Sequence, residues 1–212
     1  MTTKAILWDN DGVLVDTEHL YFRATRDVLA SIGIELTVEM YVDLFLVDGK
    51  GAWHLAEQTG LTRNEVNLLR QRRNDAYKES LDGASTLIDG VNEALEALSG
   101  KFVMGVVTSS EREHFNIIHR STGILDYFEF IIASGDYTRH KPDPEPYQVA
   151  VARTGFGTAE CVAIEDSARG LASANRAGVE CIVIPNQLTR TSDFSAARKI
   201  LTSIHELPAT LI

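Results

Sequence analysis

The residues best suited to do chemistry lie near the N-terminus, where Asp9 and Asp11 follow a short apolar run and precede Gly12. Two nearby carboxylates can divide a reaction between them, because one can stay ionised as a nucleophile while the other transfers a proton. The same residues, Asp-Asn-Asp-Gly, are also common in plain turns. The spacing alone therefore leaves a catalytic pair and a simple turn both open.

Polar side chains also follow three later apolar runs. Thr108 and Ser109 come after the second run, and Glu165 and Asp166 come after the fourth. Between them, Lys141 lies in a segment that holds three of the chain's five prolines, which restrict the backbone around this lysine before a helix begins. The order along the chain is an acidic pair, hydroxyls, a lysine and a second acidic pair.

The elements that must position these side chains alternate between apolar runs and helical stretches. The runs are rich in Val and Ile and too continuous for a strand with one wet face, which is typical of strands buried on both sides of a parallel sheet. A glycine follows each helical stretch, where a helix C-terminus favours it. This alternation predicts an α/β fold with a Rossmann-like, doubly wound parallel sheet. The predicted strands are 5–8, 102–107, 130–133, 161–164 and 181–184, and the predicted helices are 91–99, 111–122, 145–154 and 167–177.

Residues 17–88 break this alternation, because they carry helical periodicity and no strand-like run. Leu20, Ala24 and Val28 recur at every fourth position, and Thr62 and Glu65 form a capping box before another helical stretch. Extra core helices would look the same, but we favour an inserted α-helical cap. The predicted division is a core of residues 1–16 and 89–212 and a cap of residues 17–88, with hinges at 16–18 and 83–90.

The composition restricts the class of partner. With 20 basic and 30 acidic residues the formal net charge is −10, which argues against nucleic acid or an anionic membrane as a partner. No apolar run approaches the length of a membrane span, and the N-terminal run is too short for a signal peptide. Two cysteines fit neither a disulfide framework nor a zinc cage. We expect a cytoplasmic monomer.

The four polar groups, in this order, resemble the four-motif pattern of the haloacid dehalogenase superfamily. The string from Asp9 to Glu18, the Glu165-Asp166-Ser167 segment and the position of the cap are similar to the β-phosphoglucomutase-type branch of small-molecule phosphatases. The resemblance covers nearly the whole chain. It implies a Mg²⁺-dependent phosphatase that hydrolyses small phosphorylated metabolites, such as sugar phosphates, through an aspartyl-phosphate intermediate.

The resemblance also implies a role for each motif residue. Asp9 would be the nucleophile, and Asp11 would protonate the leaving alkoxide and later accept a proton from water. Thr108 and Lys141 would bind the phosphoryl oxygens. Mg²⁺ would be held by Asp9, by the main-chain carbonyl of Asp11 and by Asp166, with Glu165 as a further ligand.

Charge counting supports the metal. The four carboxylates against Lys141 leave a charge of −3, which repels a phosphate ester, whereas a divalent cation and a protonated Asp11 bring the site close to neutrality. Oxygen ligands favour Mg²⁺ over zinc. Because the dehalogenases lack the second aspartate, and an alkoxide needs the proton that a halide does not, Asp11 favours phosphoryl transfer over carbon–halogen cleavage.

Other residues are weaker candidates. Lys50, in a glycine-flanked cap loop, could contact the leaving group or be a solvated surface lysine. Ser109 and Asn10 could contact the substrate's phosphoryl region or make ordinary loop hydrogen bonds. His114 and His119 lack the spacing of a helical zinc pair, and we expect both on a solvated helix face.

The alternative activity is a β-phosphoglucomutase-like phosphosugar mutase. In that enzyme a cap histidine about twelve residues after the nucleophile helps direct the phosphoryl group to sugar instead of water. This chain has Tyr21 at the matching position, and His19 would face elsewhere on the same helix. The departure favours hydrolysis. A binding module without turnover is the remaining alternative, and no motif residue is lost that would support it.

Overall fold

The computed structural model describes residues 2–81 and 86–212. Six strands form one parallel sheet: β1 Ala5–Trp8, β2 Val103–Glu111, β3 Phe130–Ser134, β4 Cys161–Glu165, β5 Glu180–Val183 and β6 Lys199–Ile200. Their order is β3-β2-β1-β4-β5-β6, so that β1 is central and the chain winds outward on both sides of it. This order confirms the predicted doubly wound α/β fold.

Helices precede and follow the strands of this sheet. Between β1 and β2 are α1 Glu18–Ala30, α2 Val38–Tyr41, a π-helical segment Val42–Val47, α3 Trp53–Gln58, α4 Arg63–Leu81 and α5 Val91–Leu98. After β2 come α6 Arg112–Ile118, α7 Glu145–Thr154, α8 Ala168–Arg176 and α9 Leu207–Leu211. No helix in these ranges is long and apolar enough to cross a membrane.

The sheet is buried on both faces. Ile6 and Trp8 belong to an apolar cluster that includes α5 and α6, whereas Ala5 and Leu7 belong to a second cluster that includes α7 and α8. Alternate residues of one strand point to opposite faces, so both sets of side chains must be apolar. This explains why the strands read as continuous apolar runs.

The register aligns the strand ends where the polar residues begin. Trp8 pairs with Val106 of β2 and with Ile164 of β4. The residues that follow, Asp9 and Glu165 among them, therefore meet at the carboxyl edge of the sheet. This edge is where open α/β sheets bind ligands.

Two strands differ from prediction by more than one residue at an end. β2 continues to Glu111, beyond the expected end at 107, because after a register shift Glu111 still pairs with Ser134 of β3. β6 was not predicted, since its two residues are exposed and make no apolar run.

The helices α1 to α4 share an apolar cluster of their own, which includes Val28, Leu46 and Val66. The capping box is confirmed: the Thr62 main-chain N–H donates to the Glu65 carboxylate over 2.8 Å, and the Glu65 N–H lies 3.4 Å from Thr62 Oγ1. Residues 17–81 contain no strand. The division into core and cap stays a prediction, and part of the predicted hinge 83–90 lies outside the described residues.

Candidate active site

A cavity of about 280 Å³ lies between the carboxyl edge of the sheet and helices α1 and α4. Its walls combine carboxylates, aromatic rings and one guanidinium. The carboxylates are Asp9, Asp11, Glu18 and Glu111, the rings include Tyr21, Phe45 and Tyr77, and the guanidinium belongs to Arg169.

Lys141 is the buried cation at the floor of this site. Its Nζ donates to Asp9 Oδ1 over 2.9 Å, to Glu165 Oε1 over 2.7 Å and to the Val107 carbonyl over 2.7 Å. Burial lowers the pKa of Lys141, but the charges of Asp9 and Glu165 outweigh burial and raise it above its ordinary value. The lysine is therefore charged and fixed by three acceptors. Tyr147 completes the group, because its hydroxyl donates to Glu165 Oε1 over 2.6 Å.

Asp9, Glu165 and Asp166 form a cluster of buried carboxylates. One oxygen from each lies within 4.8 Å of the others, so the three can share a cation. Burial, followed by the charge of Glu165, raises the pKa of Asp9 to about 7, and burial and Asp9 also raise the pKa of Asp166. Three carboxylates against one lysine leave unneutralised negative charge, and a site of oxygen donors alone fits Mg²⁺.

Gly12 brings the first and last motifs together. It has a φ of +88°, and a Cβ at this position would lie 2.3 Å from Asp166 Oδ2. A glycine is therefore required both by the left-handed backbone and by the approach of Asp166.

Asp166 is positioned by a residue that follows β5, a strand end for which the sequence predicted no site residue. The Asn186 side chain, in the loop after β5, donates to Asp166 Oδ2 over 2.7 Å. The loop holds Asn186 in turn, because its Oδ1 accepts the N–H groups of Leu188 and Thr189. Extending the strand-end argument to the fifth strand would have found Asn186.

Asp11 is surrounded by hydroxyl groups. Its Oδ1 accepts from Thr17 Oγ1, and its Oδ2 accepts from Ser110 Oγ over 2.6 Å and from Thr108 Oγ1 over 3.3 Å. Asp11 lines the cavity, so its carboxyl group is accessible to a bound molecule. The structure thus brings Asp9, Asp11, Thr108, Lys141, Glu165 and Asp166 together.

The two predicted hydroxyl residues differ in their surroundings. Thr108 is fully buried, and its main-chain carbonyl accepts from the Tyr137 hydroxyl over 2.8 Å. Ser109 lines the cavity, and its Oγ has no hydrogen-bond partner among the residues that the structure describes. Ser109 thus reaches the cavity wall, but its hydroxyl oxygen is buried in this structure.

Two candidate substrate contacts lie away from the cavity. Asn10 is fully buried and does not line the cavity, and its side chain bonds to His119 and Asp11. Of the two alternatives that the sequence left open, this arrangement matches local hydrogen bonding and not a direct substrate contact. Lys50 is exposed and pairs with Asp48 over 2.8 Å, so it does not line the cavity in this structure. The reason is local. The loop packs against the core at Gly49, which lies close to the Lys141 carbonyl, and the Lys50 amine binds the neighbouring carboxylate of Asp48.

The expectation of two solvated histidines is wrong. His114 and His119 are 2% and 5% exposed. His114 lines the cavity beside Tyr77, with ring centroids 5.1 Å apart, and burial lowers its pKa. Helix α6 is covered by α4, which the sequence could not show, so the face that carries His114 is buried.

The cavity wall also carries Glu18 and Arg169, to which the sequence motifs assigned no role. Glu18 accepts a hydrogen bond from the Tyr41 hydroxyl, and burial raises the pKa of Glu18. The Nε atom of Arg169 is buried and has no hydrogen-bond partner in residues 2–81 and 86–212.

Tyr21 lines the cavity at the position where the mutase has a histidine. Its ring packs edge-on against Tyr77, with centroids 5.1 Å apart, and against Phe45. His19 is half-exposed, lies 3.4 Å from Asp16 and lines a different cavity. The structure therefore agrees with the expectation that His19 faces elsewhere.

Comparison with known proteins gives consistent matches. Residues 6–184 match the family described as haloacid dehalogenase-like hydrolase. The chain is 30% identical over 187 residues to N-acetylmuramic acid 6-phosphate phosphatase of Pseudomonas aeruginosa, covering 87% of this chain and 82% of that protein. It is 26% identical over 186 residues to fructose-1-phosphate phosphatase YqaB of Escherichia coli, covering 84% of this chain and 94% of that protein.

A solved structure has the same architecture. The β-phosphoglucomutase of Clostridium difficile matches with a TM-score of 0.82 and 21% identity, over 97% of this chain and 93% of that chain. Identity at this level shows a shared fold and does not distinguish a mutase from a hydrolase.

Proposed function

This chain belongs to the haloacid dehalogenase-like hydrolase family, and we propose that it is a Mg²⁺-dependent phosphatase of small phosphorylated carbohydrates. One observation carries the proposal: the buried carboxylates of Asp9, Glu165 and Asp166 lie together beside Lys141, and Asp9 also lines a cavity of metabolite size. The positive charges of Lys141 and of a metal ion bound by these carboxylates would offset the negative charge of a phosphoryl group.

In the proposed reaction Asp9 is the nucleophile. Its carboxylate oxygen forms a bond to phosphorus as the bond from phosphorus to the leaving oxygen breaks, which leaves an aspartyl-phosphate. Asp11 donates its proton to the leaving alkoxide. Water then attacks phosphorus, Asp11 accepts a proton from that water, and the bond between phosphorus and Asp9 breaks to release inorganic phosphate.

Lys141 and the metal ligands control charge in this proposal. Lys141 touches Asp9, so its ammonium group is placed to counter the negative charge of the phosphoryl oxygens. Asp9, Asp166 and the Asp11 main-chain carbonyl would hold Mg²⁺, with Glu165 as a further donor, and the ion when bound would polarise the phosphoryl oxygens. The Asp11 side chain is hydrogen-bonded to the hydroxyls of Thr17 and Ser110. It is not needed as a metal ligand in this proposal, so it can transfer the proton.

The cavity wall supports a carbohydrate as the leaving group. Rings of Tyr21, Phe45 and Tyr77 offer apolar faces, and Glu18 and Glu111 offer hydrogen-bond acceptors for hydroxyl groups. The names of the two phosphatase relatives agree with this class. Tyr21 carries no imidazole to assist transfer to a sugar, so we propose water as the final acceptor.

The test is hydrolysis of a panel of sugar phosphates and of p-nitrophenyl phosphate, with Mg²⁺ or with excess chelator. We expect chelator to abolish phosphate release, Asp9→Asn to abolish it, and Asp11→Asn to lower it about 10²–10⁴-fold. The matched control is Asp126→Asn, because this exposed aspartate lies outside the cavity and its loss should leave the rate unchanged. Full activity in chelator or in Asp9→Asn would contradict the proposal.

A second assay separates hydrolysis from mutase activity. Incubation with β-glucose 1-phosphate should yield free phosphate and glucose. Formation of glucose 6-phosphate in place of free phosphate would overturn the proposal of a hydrolase.

A further inference from the structure

A buried chain of hydrogen bonds leads from the end of α6 to Asp11. The Nε2 atom of His119 lies 2.7 Å from Asn10 Oδ1, and both residues are buried. Asn10 Nδ2 in turn lies 3.3 Å from Asp11 Oδ2. His119 therefore reaches the second carboxylate of the site through one intervening amide, without lining the cavity itself.

The protonation of His119 determines which way the Asn10 amide points. Burial lowers the pKa of His119 to about 4, so its ring is neutral near pH 7 and has one N–H and one lone pair. The Thr122 hydroxyl lies 3.0 Å from Nδ1 and 3.5 Å from the His119 carbonyl oxygen. Donation to Nδ1, over the shorter distance, leaves the proton on Nε2. Nε2–H then donates to Asn10 Oδ1, and the amide N–H₂ faces Asp11. The reverse amide orientation would put a carbonyl oxygen against a carboxylate.

Hydrogen bonds fix the main chain of Asn10, so the part of this residue that can still rotate is its side-chain amide. Its carbonyl accepts the N–H groups of the three residues Val13, Leu14 and Val15 over 3.2, 2.8 and 3.1 Å. The other groups that bond to the Asp11 carboxylate are hydroxyls of Thr17, Thr108 and Ser110, and hydroxyls can rotate to donate or accept. An amide N–H only donates.

We propose that His119 is a positioning residue, whose Nε2–H fixes the Asn10 amide so that an Asn10 N–H holds the Asp11 carboxyl group in place for proton transfer. The inference rests on the proposed phosphatase function. It predicts a defect in the steps in which Asp11 transfers a proton, because the side-chain hydrogen bond between Lys141 and Asp9 is separate from the one between His119 and Asn10.

The experiment compares two leaving groups. Fructose 1-phosphate releases an alkoxide that needs a proton, whereas p-nitrophenyl phosphate releases a stable phenolate that does not. We expect His119→Leu to lower kcat/KM for fructose 1-phosphate about tenfold or more, with kcat/KM for p-nitrophenyl phosphate changed by less than about threefold. This ratio reports formation of the aspartyl-phosphate and excludes the later attack of water, which uses Asp11 for both substrates. His119→Gln, which restores a donor, should recover most of the loss. His54→Leu, at an exposed histidine, is the matched control.

An equal fall in kcat/KM for both substrates in His119→Leu, or no fall, would overturn the proposal. If this variant does not fold, the wild-type protein still tests it by ¹⁵N NMR, in which His119 should stay neutral with its proton on Nε2 between about pH 5 and pH 8. A proton on Nδ1 would overturn it. Failure of the proposed function is distinguishable, since wild-type protein with Mg²⁺ would then hydrolyse neither substrate.

Discussion

The metal-free protein should lose stability as the pH rises through the range in which Asp9 ionises. Burial and the charge of Glu165 raise the pKa of Asp9 to about 7, from an ordinary value of 3.8. A raised carboxyl pKa means that the folded state keeps a proton which the unfolded chain has released. The stabilisation that this retained proton gives the folded state is therefore fully present below the pKa of Asp9 in the unfolded chain. It is lost as the pH rises through the pKa of Asp9 in the folded protein.

The size of the effect follows from the shift. About three pKa units correspond to about 4 kcal/mol, spread between about pH 4 and pH 7. The raised pKa of Asp166 acts in the same direction. Mg²⁺ should offset much of this loss, because binding only to the folded state at about 100 times its Kd adds about 2.7 kcal/mol.

Urea denaturation at about pH 5 and pH 7.5, in chelator and in Mg²⁺, measures this directly. The free energy of unfolding in chelator should be lower at the higher pH, and Mg²⁺ should restore it there far more than at the lower pH. Asp9→Asn is the control, since a neutral amide should flatten the pH dependence. A free energy that stays level or increases with pH in chelator, or an equal slope in Asp9→Asn, would refute the reasoning.

Three further outcomes are expected. Lys141→Met should abolish phosphate release and lower the free energy of unfolding in chelator by about 3–5 kcal/mol, because it leaves buried carboxylates without their cation. Gly12→Ala should weaken Mg²⁺ binding in calorimetry, since its Cβ would overlap Asp166, whereas Gly60→Ala, with a φ of +90° and nothing within 4 Å, should cost only backbone strain and leave binding intact. Asn186→Leu should weaken Mg²⁺ binding about 10–100-fold with an unchanged circular dichroism spectrum, through loss of its hydrogen bond to Asp166.

The fold and the acidic cluster could be predicted from the sequence because each depends on local pattern. Strands buried on both faces must be apolar at every position, so the run of residues 161–164 marks β4 within one residue. Polar groups that directly follow such strands must lie at one edge of the sheet. The convergence of Asp9 and Asp166 follows from that rule and from strand order. Lys141 does not directly follow a strand, and it reaches Asp9 from the loop between β3 and α7.

Tertiary packing alone decided which side chains support those residues. His119 and Asn10 are 109 positions apart, and only the packing of α6 beside the turn after β1 makes them partners. The burial of His114 depends on α4 covering α6, and the exposure of Lys50 depends on how one loop meets the core. Periodicity describes which faces of a helix are apolar, but a histidine fits both a wet face and a buried one. Its environment is set by what packs against it, and that information lies elsewhere in the chain.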